Sequence, residues 1–205
     1  MYILKFILEL IGTVVLADFV SGFVHWAEDT FGTEETPIIG KWIVVPNVLH
    51  HEFPSAFTKK NWVQSSWDLL LVSIIILIVS WAFGFLTWYV WLFCILEANA
   101  NQIHKYAHLP QKSIPIFVRV LQKLRLLQNA KDHAIHHRGE KNTAYCVITP
   151  YLNPVLDMLG FWRFLERISV PILGAPRRED LKNIKQPIIK KIIEKIISKL
   201  FLFLV

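Results

Sequence analysis

Residues 67–104 form one long apolar run with almost no charge. A bilayer core takes ~20 helical residues, so this run is too long for one crossing and suits two. It divides at Gly84 into helices over about 67–82 and 86–103, joined by a tight turn whose tip carries no charge. Trp81, Trp88 and Trp91 suit an aromatic belt on that side. A second apolar run, 2–26, is also long enough to span. Its positive residues amount to Lys5 alone, no small-x-small cleavage site follows it, and Asp18 interrupts it, so it reads as a span and not as a cleaved signal. The expected fold class is an all-α membrane protein with about three transmembrane helices plus interfacial helices.

Orientation follows from charge. A hairpin returns to the side it left, so 27–66 and 104–205 share one face. Of the 22 Lys and Arg, only Lys5 lies outside those two segments. The positive-inside rule assigns both segments to the cytoplasm and the N-terminus to the other side. The net charge of +6 accompanies a 54% hydrophobic composition, and the basic residues border apolar runs. Anionic lipid headgroups are therefore the expected partner, and nucleic acid is not. Residues 114–127 are apolar but carry Arg119, Lys123 and Arg125, which predicts a helix lying in the interface. The tail repeats isoleucine pairs with lysines over 188–204, a basic amphipathic helix suited to a membrane surface. One domain over 1–185, followed by a tail helix over 186–205, is the expected organisation. Cys94 and Cys146 form no CxxC pair and neither reads as a metal ligand.

All eight histidines fall between positions 25 and 137, in the two predicted cytoplasmic segments, most of them just past a crossing. His104 and His108 share a helix face one turn apart, and His133, His136 and His137 form HxxHH. His25 and Asp29 repeat the four-residue spacing with a carboxylate. His50 and His51 are adjacent and point about 100° apart on a helix, so they reach two metals, or one binds and the other orients a ligand. Two polar stripes extend the pattern into the apolar runs: Asp18, Gly22, His25 and Asp29 on the first helix, and Glu97, Asn101, His104 and His108 on the third. Ionisable groups in a spanning helix face a protein interior or a wet site. Asp18, Glu97 and Asn101 are therefore expected to support the ligands from behind.

No cysteine cluster and no HExxH motif point to zinc, while imidazole by itself suits iron, copper, nickel and zinc. Eight imidazoles suffice for two ions with positions left open for oxygen. Iron used that way can attack an unactivated C–H bond, which side chains alone cannot do. Beside lipid tails, the expected substrate is a lipid chain.

The motifs in combination resemble the plasmanylethanolamine desaturase family. That family includes Kua-type and CarF-type proteins with a lipid desaturase domain, and the chloroplast desaturase of phosphatidylglycerol acyl chains. The resemblance rests on DFVSGFVHWAEDTFG at 18–32, His50 and His51 with Pro54, HKYAH at 104–108, HAIHH at 133–137 and NTAYC at 142–146. It continues through Leu152, Asn153 and Pro154 to Leu165 and Glu166, and PRRED at 176–180. It covers about 16–182 and implies a membrane-bound oxidoreductase with two iron ions and O2 as co-substrate. It implies that the eight histidines and Asp29 are needed for activity. The namesake reaction turns a 1-O-alkyl phosphatidylethanolamine into its vinyl ether, the plasmalogen linkage. Oxygen needs two electrons beyond those of the C–H bonds. No haem or dinucleotide motif is present, so the donor is expected to be a separate cytochrome or ferredoxin with its reductase. An acyl-chain desaturase acting on phosphatidylglycerol is the alternative, followed by a lipid hydroxylase. A metal-dependent membrane signalling or scaffold protein is the alternative of another class. The sequence departs from the family pattern in its short N-terminal region and its basic tail.

Overall fold

The computed structural model describes residues 1–174 and Arg178. The predicted tail helix and the domain boundary at 185 lie outside the described residues. Within them the chain forms ten α-helices and no strand.

Helix α1 (Tyr2–Phe31) is continuous through all 30 residues. At ~1.5 Å per residue it extends ~45 Å. Leu4, Ile7, Ile11 and Val15 are exposed along it, while Ala17, Asp18, Ser21, Gly22, His25 and Asp29 are buried. A π-helical turn (Gly40–Val44) leads into α2 (Val45–His50) and α3 (Pro54–Thr58).

Helix α4 (Trp62–Ala82) begins before the apolar run because Asn61 and Gln64 close a reciprocal cap: Gln64 N donates to Asn61 Oδ1 and Asn61 N to Gln64 Oε1. It is the one helix among the described residues that is long and apolar enough to cross a membrane by length and composition. Ser66, Ser73 and Ser80 recur every seventh residue and are buried, and Ser73 Oγ donates to the Cys94 carbonyl of α5 (Trp88–Ala98) at 3.2 Å. Small residues at that spacing let two apolar helices approach closely. At the hairpin end, the Phe6 and Trp88 rings stack at 4.8 Å and join α1 to α5.

The predicted helix over 86–103 is not continuous. It breaks at Asn99 (φ −106, ψ 0), whose side-chain amide donates to the Ile95 carbonyl at 2.8 Å. A side-chain donor that occupies the carbonyl one turn back competes with the helical ladder. The chain restarts as α6 (Ala100–His108), and the histidine pair rides on this redirected segment.

The segment predicted as interfacial is α7 (Ile116–Lys123). Ile116, Phe117 and Val120 are exposed, and Val118 and Gln122 face inward. After the short α8 (Ala130–His133), residues 144–149 run as an irregular strap buried against the polar face of α1. Helices α9 (Leu152–Met158) and α10 (Phe161–Leu173) follow, and both expose large apolar side chains, among them Val155, Met158, Phe164 and Leu173.

The strap has no strand partner, so α1 and α9 supply side chains instead. Ile148 N and Thr149 N donate to Asp18 Oδ1 at 2.9 and 3.1 Å, and Thr149 Oγ1 donates to Asp18 Oδ2 at 2.5 Å. Cys146 exchanges two 2.8 Å bonds with the Asn153 amide. Buried backbone groups must be paired, and these side chains pair them. Gly22 makes the close approach possible, because a Cβ there would sit 2.5 Å from Cys146 Sγ and 3.0 Å from Cys146 N.

Candidate metal centre

Four stretches of chain deliver the donors. The end of α1 supplies His25 and Asp29, α2 and the residue after it His50 and His51, and α6 His104 and His108. Helix α8 and the turn after it supply His133, His136 and His137. The structure brings all eight histidines and Asp29 together, sorted into two groups. One holds His50, His104, His108, His133 and His137; the other holds His25, Asp29, His51 and His136. Within each group the donor atoms lie within 4.8 Å of one another.

Three of the rings are fixed from behind. His25 Nδ1 lies 3.1 Å from the Tyr145 carbonyl and His136 Nδ1 2.8 Å from the Thr143 carbonyl, while His50 Nδ1 bonds the Asn47 carbonyl. A carbonyl only accepts, so each Nδ1 carries the proton and each Nε2 presents a lone pair to the cluster.

In the larger group the Nε2 atoms of His104, His108 and His133 form a triangle with sides of 2.9, 2.9 and 3.2 Å, and His137 Nε2 lies 2.9 Å from His133 Nε2. A neutral imidazole nitrogen either donates or accepts. Three nitrogens in a closed ring cannot alternate, so one pair must oppose lone pair to lone pair or proton to proton. A shared cation removes that conflict. Imidazole nitrogens about 2.1 Å from one ion and at right angles stand about 3.0 Å apart, matching these separations. The donor set therefore fits a metal.

The smaller group carries an anionic donor. Asp29 Oδ2 lies 3.6, 3.5 and 3.4 Å from Nε2 of His25, His51 and His136. Asn47 Nδ2 donates to Asp29 Oδ1 at 3.1 Å, which leaves Oδ2 toward the rings. The two groups thus differ in charge, with five neutral donors in one and three plus a carboxylate in the other.

Burial, reinforced by neighbouring imidazoles, pushes His108 and His137 down to about 4. Burial pushes His136 down to about 4 as well, and it holds His50, His51 and His133 far below the usual imidazole range. These rings are neutral at pH 7, the state in which imidazole binds metal.

The residues expected to support the ligands behave differently. Asp18 bonds the strap and none of its hydrogen bonds reaches a histidine, because the strap's amides are nearer along the same helix face. Asn101 Nδ2 donates to the Ser65 carbonyl at 2.7 Å and so joins α6 to α4. Glu97 is buried and lines a groove shared with His25, His50 and His104. The ligands are held instead by backbone carbonyls and by Asn47, which sequence reasoning missed. Its one signal was a position one turn before His50. Tyr145 was also missed: its ring packs on His25 and His136 at centroid distances of 5.7 and 5.0 Å. Its hydroxyl accepts from Arg178 Nη1 at 2.6 Å, and the same nitrogen donates to Glu166 at 2.9 Å.

The groove runs between α1, the π-helical turn, α2, α4 and α6, with about 770 Å³ of space including its open mouth. Its walls include Val24, Trp42, Phe57, Trp67 and Leu69 beside His25 of the smaller group and His50 and His104 of the larger one.

A family model described as lipid desaturase domain matches residues 14–180. Plasmanylethanolamine desaturase 1 of Mus musculus is 35% identical over 190 residues, covering 86% of this chain and 69% of the mouse protein. Plasmanylethanolamine desaturase of Myxococcus xanthus is 33% identical over 174 residues, 80% of this chain and 61% of that protein. Fatty acid desaturase 4, chloroplastic, of Arabidopsis thaliana is 33% identical over 171 residues, 80% of this chain and 51% of the plant protein. No solved structure matches the chain.

Proposed function

Because this chain belongs to the lipid desaturase domain family, we propose that it is a di-iron, oxygen-dependent desaturase that converts 1-O-alkyl phosphatidylethanolamine to the vinyl ether. The observation that carries the reading is the pair of adjacent donor groups beside a groove of mixed polarity. His50, His104, His108, His133 and His137 would hold one ion, and His25, Asp29, His51 and His136 the other. Bound iron supplies the activation of dioxygen that side chains alone lack.

The chain's own residues do the rest. The Tyr145, Asn47 and Thr143 carbonyls hold three imidazoles in one tautomer and one orientation. Burial shields the donors from water, and a chain seated in the groove would bring two adjacent carbons toward them. In the net reaction each carbon loses one hydrogen and a C=C bond forms. O2 becomes two waters with two further electrons and two protons. The electrons come from a separate cytochrome or ferredoxin with its reductase.

We read α1, α4 and the segment 86–103 (α5 continuing into the start of α6) as three spans, with the donors at their cytoplasmic ends. The support is the exposed apolar surface of α1, α4 and α5 and the charge asymmetry of the sequence. A lipid headgroup at that interface puts the first carbons of its chain nearest the metals, which favours a bond next to the ether oxygen.

Reconstituted protein given 1-O-alkyl phosphatidylethanolamine, oxygen and an electron donor should yield a lipid two hydrogens lighter that releases an aldehyde in mild acid. The similarity to the plant fatty acid desaturase supports a second reading, desaturation of an acyl chain on phosphatidylglycerol. A mass shift without acid-released aldehyde favours that reading. Absence of iron and of oxygen consumption favours a signalling or scaffold role.

A further inference from the structure

The groove holds charges that the metal donors leave unused. Glu28 on α1 and Asp68 on α4 line it from two helices, close enough for their charges to interact. Lys60 lines it too and lies within electrostatic reach of Asp68. Lys105 Nζ donates to the Lys60 carbonyl and ties that residue's backbone to α6. Deeper in the groove, Glu97 is only 7% exposed, and its Oε1 has no hydrogen-bond partner. No ion pair among the described residues engages Glu28, Asp68 or Glu97.

A groove built only for a hydrocarbon chain gains nothing from unpaired carboxylates, whose burial costs free energy. An anionic headgroup brings these acidic groups no counter-charge. A zwitterion with an ammonium beside a phosphate complements both signs. We propose that Glu28 and Asp68 bind the ammonium of an amine-bearing phospholipid headgroup while Lys60 faces its phosphate, so that the groove selects zwitterionic over anionic phospholipids. This rests on the reading of the chain as a phospholipid desaturase and assigns its headgroup selectivity to named residues.

The test is a competition. Iron-loaded full-length protein in nanodiscs receives equal amounts of 1-O-alkyl lipids with ethanolamine and with glycerol headgroups. The product ratio is read by mass spectrometry. Native mass spectrometry of the same nanodiscs reads retained lipid without turnover. The wild type should favour ethanolamine in both readouts. Asp68→Asn and Glu28→Gln should each lower the ethanolamine-to-glycerol ratio by roughly 3- to 10-fold, as expected for one charge partner in a partly wet site. Asp68→Glu should restore it. A ratio, unlike a rate, is insensitive to partial loss of folded protein. Ratios unchanged in both variants overturn the assignment, even with full turnover. Selective retention without any desaturated product supports the headgroup site and overturns the desaturase reading instead.

Discussion

His50 and His51 are adjacent in the chain yet belong to different donor groups, His50 with His104, His108, His133 and His137, and His51 with His25, Asp29 and His136. Their rings are 4.3 Å apart between centroids, with planes inclined at 60°. His50→Ala and His51→Ala should therefore deplete different ions. Each should lower iron toward one per chain and reduce turnover by at least ~10²-fold. Metal analysis combined with Mössbauer spectra should show distinct residual signals. Identical spectra from the two variants would mean that the groups act as one site.

Asp29 and Asp18 should separate chemistry from stability. Asp29→Asn removes the carboxylate charge that faces His25, His51 and His136 and should abolish turnover with reduced iron. Asp18→Asn keeps one oxygen for Ile148 N and Thr149 N but turns the acceptor of Thr149 Oγ1 into a donor, and should cost about 1–3 kcal/mol of stability. Melting temperature and turnover per bound iron, measured on both variants, check this. An Asp29→Asn protein with normal turnover refutes the assignment.

Gly22→Ala should push the strap off α1, because the added methyl meets both the sulfur and the backbone of Cys146. Overpacking of this kind costs about 1–3 kcal/mol. Adding Cys146→Ala should recover only part of the loss, since the backbone clash stays. Full recovery in the double variant would place the whole conflict on the sulfur.

Acid should destabilise the metal-free protein within a defined window. His108, His136 and His137 bind protons only near pH 4 when folded, against an ordinary value of 6.5. Between those limits the unfolded chain binds more protons than the folded one, so stability falls as pH drops from 6.5 toward 4. Above 6.5 these groups contribute no pH dependence. Melting curves of metal-free protein across pH 4–8 test the sign. A melting temperature that rises on acidification would contradict it.

The spans can be tested by labelling. Cysteines introduced at Phe85 and at Gly139 should react from opposite sides of the membrane. Reaction from the same side would remove either the hairpin or the orientation.

The convergence of the histidines and Asp29 was legible in the sequence because His104/His108 and His25/Asp29 share helical spacing, the pattern a metal site requires. The sorting of His50 and His51 into separate groups was not legible, since it depends on how α2 packs. Asn99 was read as part of one continuous helix because its breaking action lies in a local side-chain bond to Ile95. The backbone carbonyls behind the imidazoles carry no sequence signal at all. Asp18 illustrates the opposite failure. It lies on the same helix face as His25, but its hydrogen-bond partners belong to a segment 130 residues away.

That separation also imposes an order on biosynthesis. Helix α1 leaves the ribosome first and carries Asp18 and His25, whose partners Ile148, Thr149 and Tyr145 follow 130, 131 and 120 residues later. Until they emerge, the helix holds a carboxylate and an imidazole in apolar surroundings with nothing to bond. The first helix must therefore wait for the strap before its polar face is satisfied. A nascent chain stopped before residue 144 lacks the strap and should not retain metal, however many histidines it already contains.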